Sequence, residues 1–474
     1  LENELMEPNQ GSPGSPPTEG IWGAIARYFD FAAHRTTFRA ETLAGLTTFM
    51  TMAYILVVNP LILSNAIFLN ESGDLFAELV MATAIAAAIG TLLMALIAKY
   101  PFAMAPGMGM NAFFAFSVVL GLGIDWRVAL AAVLVEGILF ILLSVTGARS
   151  YLITAVPEAI KMATTVGIGL FLAYIGLSGN VETGGAGLIV ASEGTLTAFG
   201  SLRAPQTLLA LFGLFFTVFL MVRQVRGALL WGILGTSILG WVLQASPRPD
   251  GVFAIPTPPV DLVGQAFVGF SGIGANFWDF VVVVLVFLFV DMFDTIGTLT
   301  GVGTQAGFID SQGRLPRANQ ALLADAIATT SGAVLGTSTV TTYIESGAGV
   351  AEGGRTGFTS VVVALLFTLA IFFTPLFQAI PGFATASALL LVGVLMMTCI
   401  TRINWNDLSE AVPAFLTIFL IPFSFSIAEG LAAGFIAYPL IKVFQGRQSQ
   451  VPVATWVLAG IFLIRFIFKG LGLG

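Results

Sequence analysis

At 474 residues, 57% hydrophobic and only 9% charged, with a mean hydropathy of +0.94, the chain has the composition of a polytopic membrane protein and not of a soluble enzyme. Its formal charge of −7 arises from few, widely spread charges, so it implies no nucleic-acid partner. One cysteine, Cys399, and one histidine, His34, exclude a disulfide framework and a zinc-type site, and no cofactor is expected.

Residues 1–22 are polar and rich in Pro, Gly and Ser and read as disordered, with no cleavable signal peptide; 23–39 reads as an amphipathic lead-in. A helical span takes roughly 20 apolar residues. On that measure spans are expected at 41–65, 78–99, 107–123, 127–147, 155–177, 206–222 and 227–244. After a proline-rich break at 247–259 they resume at 277–303, 318–336, 343–354, 358–380, 383–400, 410–425 and 428–444. A last apolar stretch, 452–470, carries Arg465 and Lys469 and is expected to lie along the cytoplasmic interface or to pack there. Connections on the N-terminal side hold most of the Arg and Lys, among them Arg35, Lys99, Arg149, Arg226, Arg317, Arg402 and Arg447, whereas the other side holds only Arg127, Arg203 and Arg248. The positive-inside rule therefore puts both termini in the cytoplasm of a multi-pass plasma-membrane protein. Seven spans per half give the halves opposite orientations. The expected fold class is thus all-α, with 14 transmembrane segments as a 7+7 inverted repeat and two broken half-helix segments preceded by short strands.

The first broken segment is Tyr100 to Asn111, with prolines and glycines opening the third span; the second is Thr337 to Gly357, which mixes hydroxyls, two glutamates and five glycines with apolar residues. Extended backbone in hydrocarbon survives only where protein covers it or where it lines a cavity. A helix starting there presents free N–H groups and a positive dipole end, with Glu345 in that field. The alternative is a polar loop between two ordinary spans. The eighth span reads V-F-L-F-V-D-M-F-D-T-I-G-T, placing Asp291 and Asp294 at i, i+3 on one helix face. Two ionised carboxylates there repel, so one is expected to take up a proton near neutral pH, unless Asp294 is a helix-end group in contact with water. Glu136 and Asp325 are proton-path residues or members of interhelical hydrogen-bond pairs, Lys161 pairs with Glu158 or snorkels, and Asn111 orients a heterocycle or caps within the fold.

The motifs A-P-G-M-G-M-N-A-F-F from Ala105, V-D-M-F-D-T-I-G-T from Val290 and T-Y-I-E-S-G-A-G-V-A-E-G-G-R-T-G from Thr342 resemble those of the AzgA-like purine permeases. These are the hypoxanthine/guanine/adenine branch of the nucleobase:cation symporters with the uracil-permease fold, and the resemblance runs from Phe38 to about Phe468. It implies a core domain from 38–150 and 277–382 and a gate and homodimer domain from 151–276 and 383–474, with 1–37 as a leading segment. It implies Asp291 and Glu345 as substrate-binding acids, Asn111 as a third polar contact, Asp294 as a neighbour affecting transport, and Phe102 and Tyr343 as aromatics beside the base. Thr295 stands near the place of the relatives' proton-linked histidine, so coupling would rest on Asp291, Asp294 and Glu345.

A neutral purine offers N–H donors that suit carboxylates, and its acceptors suit backbone N–H groups at the half-helix starts, near Gly109 and Ser346. Stacking on aromatic rings adds roughly 1–3 kcal/mol per base. Neither broken segment holds a cation before Arg355, which favours a nucleobase over sulfate or bicarbonate. The expected function is import of hypoxanthine, guanine or adenine by proton symport with alternating access. Sodium coupling and an anion carrier or channel on the same fold are the alternatives; a lipid-acting enzyme lacks an activated nucleophile.

Overall fold

The computed structural model describes residues 20–146, 156–256, 258–310 and 314–470. Most of the expected disorder at 1–22, and Arg149, lie outside them; Gly20 to Trp22, counted there as disordered, instead open a helix, Gly20–Tyr28. The first long span is α1 (Phe38–Met52), started where Thr37 Oγ1 accepts from Ala40 N at 3.2 Å, and continued by α2 (Ile55–Leu63). Then come α3 (Phe76–Leu93), β1 (Met104–Pro106), α4 (Met108–Ala112), α5 (Trp126–Thr146) and α6 (Glu158–Leu177). A hairpin of β2 (Ile189–Ser192) and β3 (Leu196–Phe199), for which no element was expected, leads to α7 (Pro205–Val222) and α8 (Ala228–Val242). The second half contains α9 (Phe277–Gln305), α10 (Ala318–Leu335), β4 (Val340–Thr342), α11 (Ser346–Glu352), α12 (Gly357–Ala370), α13 (Gly382–Met397), α14 (Leu408–Ser424), α15 (Ile427–Phe444) and α16 (Val453–Gly470). Among the described residues nine helices are long and apolar enough to cross a membrane, and four shorter apolar ones accompany them. The protein is a mostly helical, multi-pass membrane protein.

Both broken segments are broken. The extended part of the second is the three residues of β4, and its helix begins at Ser346. β1 and β4 pair antiparallel, Met104 opposite Thr342, Ala105 opposite Thr341 and Pro106 opposite Val340. The ladder is extended at each end, where Gly107 N donates to Thr339 O at 2.9 Å and Tyr343 N to Ala103 O at 3.0 Å. Each strand thus satisfies the other's backbone in a place without water, the condition for non-helical chain at this depth. From the two strands α4 and α11 set off as short helices.

Helices meet closely where glycine permits. Gly169 of α6 faces Gly393 of α13, and a Cβ on Gly169 would stand 2.9 Å from the Gly393 carbonyl oxygen.

The stretch 452–470 does not lie across the end of the bundle as expected. α16 runs back antiparallel along α15, Phe462 stacking on Phe435 with centroids 5.7 Å apart. At its far end Arg465 reaches Asp279 and Glu429, which open α9 and α15. Those two carboxylates offset the cation that the charge rule counted against such a course.

Candidate binding cavity

A cavity of about 360 Å³ lies against the two strand-to-helix junctions, within the size range of small-ligand sites. Asp294 and Phe293 enter it from α9, Thr341, Tyr343 and Glu345 from β4 and the start of α11, and Gly109 from α4. Lys161 of α6, with Met396, Cys399 and Arg402 at and beyond the end of α13, complete it. The lining extends along α9 to Gly301 and along α13 to Arg402, so the cavity opens toward the face where both helices end.

Glu345 stands immediately before α11. Tyr54, at the junction of α1 and α2, donates its hydroxyl to Glu345 Oε1 at 2.7 Å, and Thr51 Oγ1 donates to the Glu345 carbonyl at 3.4 Å. One carboxylate oxygen is thereby anchored. The Tyr343 hydroxyl donates to Pro106 O at 2.5 Å, so its ring is held as a wall between the strands.

Asp291 and Asp294 do not share an outlook. At about 100° per residue, positions i and i+3 on a helix diverge by some 60°, and here that separates cavity from core. Asp291 is fully buried, outside the cavity lining, with Oδ2 accepting from Thr329 Oγ1 at 3.3 Å. Behind it stand Glu136 of α5 and Asp325 of α10, also fully buried, which gathers three carboxyl groups in one part of the core. Asp325 Oδ1 accepts from Thr295 Oγ1 at 3.0 Å, and Thr295 is linked in turn to Thr341 Oγ1 at 2.7 Å. None of the three acids makes an ion pair among the described residues.

The other residues singled out in the sequence fall behind the cavity wall. Asn111 is fully buried and accepts from the Ser338 hydroxyl, while its amide nitrogen has no hydrogen-bond partner among the described residues. Ser346 is buried too, its Oγ accepting from Ala103 N at 2.9 Å, which ties the two broken segments together. Phe102 is sealed in a stack with Tyr100, centroids 4.9 Å apart, and so offers no face to the cavity.

Comparison with known proteins settles the broader identity. The sequence pattern of the group described as "Permease family" matches residues 39–433. The chain belongs to that family. This permease is 41% identical to the adenine permease AdeP of Escherichia coli (strain K12), over 94% of its own length and 96% of the relative's. It is 43% identical to the guanine/hypoxanthine permease PbuG of Bacillus subtilis, over 93% and 99%. It is 52% identical, over 94% and 98%, to MJ0326 of Methanocaldococcus jannaschii, which bears a provisional name as a permease. The family relatives are transporters, and the permease is not an enzyme. In shape it matches the transmembrane domain of the cyanobacterial bicarbonate transporter BicA, with a TM-score of 0.56 at 17% identity over 84% of this chain and 97% of that one. At that identity the likeness is one of fold alone.

Two lining residues, Lys161 and Arg402, and Tyr54, which holds Glu345 from behind the lining, were not assigned to the site by the sequence reading. Tyr54 lies in an apolar run and meets Glu345 across 291 positions. Arg402 was counted as a loop charge, and Lys161, placed over the Phe293 ring at 5.1 Å, as a pairing or snorkelling residue.

Proposed function

We propose that the permease imports purine bases, hypoxanthine, guanine or adenine, by proton symport. The observation that carries this reading is the full-length similarity to purine permeases together with a cavity faced by two carboxylates, Asp294 and Glu345. A neutral purine ring brings N–H donors to those acceptors and a flat face to Phe293 and Tyr343. Asp294 takes the contact that the family resemblance assigned to Asp291, because Asp294 is the acid in the lining. Asp291, with Glu136 and Asp325, then holds the coupled proton one layer behind the ligand, linked to the cavity through Thr295 and Thr341.

In this reading the strands and half-helices stand for two further crossings, and 14 crossings up to the end of α15 form a 7+7 inverted repeat. The core (38–150 and 277–382) rocks against the gate (151–276 and 383–474). Lining from both parts supports the division: Gly109, Asp294 and Glu345 come from the one, Lys161, Met396 and Arg402 from the other. Lys99, Arg226, Arg317 and Arg447 belong to the face onto which the cavity opens, which makes that face cytoplasmic in the plasma membrane and the cavity inward-facing. The exposed ladder of Phe415, Phe419 and Phe423 on the gate supports a homodimer through that surface.

Lys161 and Arg402 favour a second reading, an anion carrier. The two are separated by thermal stabilisation of the purified protein and by uptake into proteoliposomes. A purine carrier is stabilised by hypoxanthine, guanine or adenine and not by sulfate or bicarbonate, and accumulates the base only under an inward proton gradient. Loss of binding in both Asp294→Asn and Glu345→Gln is expected. Accumulation that survives collapse of the proton gradient, or that follows a sodium gradient, refutes proton coupling.

A further inference from the structure

Arg465 is 6% exposed on a helix that is apolar for the twelve residues before it, an expensive place for a cation. Its Nε lies 3.0 Å from Asp279 Oδ1 and one terminal nitrogen 3.2 Å from Glu429 Oε1. Asp279 is in the first turn of α9, Glu429 in the first turn of α15, and both helices start on the face opposite the cavity mouth. On the mouth side, Arg447 pairs with Asp407 at 3.2 Å just before α16 sets off. α16 therefore carries its cation from the cytoplasmic side to the far one.

The two carboxylates belong to different bodies. α9 lies in the core and α15 in the gate, so Arg465 ties together, on the closed side, the two parts whose separation would open the cavity outward. We propose that Arg465 is a residue of the transport cycle itself, an outer-side latch closed while the cavity faces the cytoplasm, and that α16 crosses the membrane to deliver it. This rests on the core-against-gate reading above. Opening outward requires Arg465 to let go of Asp279 or Glu429. A buried ion pair broken on one side leaves an uncompensated charge, so the latch holds firmly until a competing state offers water to both partners. Ligand and proton then bias the balance between two packed arrangements, and the latch sets its starting point.

Cys399 lines the cavity and is the chain's single cysteine, so its alkylation reports the inward-facing population without engineering. In purified protein, Arg465→Gln is expected to slow alkylation of Cys399 by N-ethylmaleimide roughly threefold or more, by shifting the population outward. Arg465→Lys keeps a cation between the two carboxylates, able to engage both, and stays nearer the parent rate than Arg465→Gln. Asp279→Asn cuts only the core arm, leaves Arg465 paired with Glu429, and is expected to reproduce the slowing should Arg465→Gln fail to fold. A C-terminal tag is expected to react with a membrane-impermeant reagent from outside the cell. Parent-like alkylation in folded Arg465→Gln or Asp279→Asn overturns the latch, and a tag reachable only from inside overturns the crossing. A parent protein whose Cys399 reactivity ignores hypoxanthine, guanine and adenine would instead count against the purine-carrier reading, leaving the latch to be judged by the variants alone.

Discussion

Tyr54→Phe removes one hydroxyl from a fully buried ring and leaves its packing in place. That hydroxyl donates to the Glu345 carboxylate at 2.7 Å, and a hydrogen bond to a charged acceptor contributes on the order of 1.5–3 kcal/mol. Most of that is lost equally with and without ligand and appears as reduced stability. What reaches binding is the cost of fixing a carboxylate that is no longer held in advance, about 0.5–1.5 kcal/mol for one side chain. The dissociation constant for the bound purine should therefore rise roughly 2- to 12-fold. Equilibrium binding of radiolabelled base to purified protein measures it, with Glu345→Gln, which removes the ionic acceptor itself, losing more. An unchanged constant in a folded Tyr54→Phe protein would refute the role of Tyr54 in presenting Glu345. A loss as large as that of Glu345→Gln would make Tyr54 a direct ligand contact.

Three further outcomes are expected. Gly169→Ala puts a methyl 2.8 Å from Met396 Cβ and 2.9 Å from the Gly393 carbonyl oxygen, and overpacking of that kind costs about 1–3 kcal/mol; thermal unfolding in detergent should show it as a lowered midpoint. Asp325→Asn and Glu136→Gln are expected to keep purine binding within a few-fold while abolishing accumulation driven by a proton gradient, and gradient-driven accumulation at the parent level would remove the buried acids from coupling. At the start of α14, the Ser409 hydroxyl and N–H and the Gln445 amide hold the Asp407 carboxyl down at about 2. A depressed carboxylate stabilises above its unfolded value near 4 and loses that contribution as pH falls through about 2. Asp407→Asn should accordingly lower the unfolding midpoint at neutral pH, with the gap to the parent narrowing between pH 4 and pH 2.

The broken segments were legible because hydroxyls, glycines and prolines interrupt apolar runs, and no tertiary information is needed to see that such chain makes a poor uniform helix. The choice between Asp291 and Asp294 was not legible, since the two differ by a 60° rotation that packing of α9 against α5 and α10 decides. Arg402 reaches the cavity, and Tyr54 the Glu345 carboxylate that faces it, through contacts between spans far apart in sequence, and nothing in their local surroundings marks them. The β2–β3 hairpin did leave a signal: two short runs with β-branched and aromatic residues flank S-E-G-T, and a search for spans alone passed over it. The course of α16 was hidden by treating Arg465 and Lys469 as free charges, when acids opening two distant helices wait for the first of them.

The three-pair ladder between β1 and β4 binds together stretches of chain more than two hundred residues apart. Removing or inserting one residue on either side would turn every following side chain to the opposite side of the seam. Diversification of such a carrier toward new cargo is therefore free to exchange side chains along the seam but not to alter its spacing. The two distant stretches have to evolve in step, as though they were neighbours in one short gene.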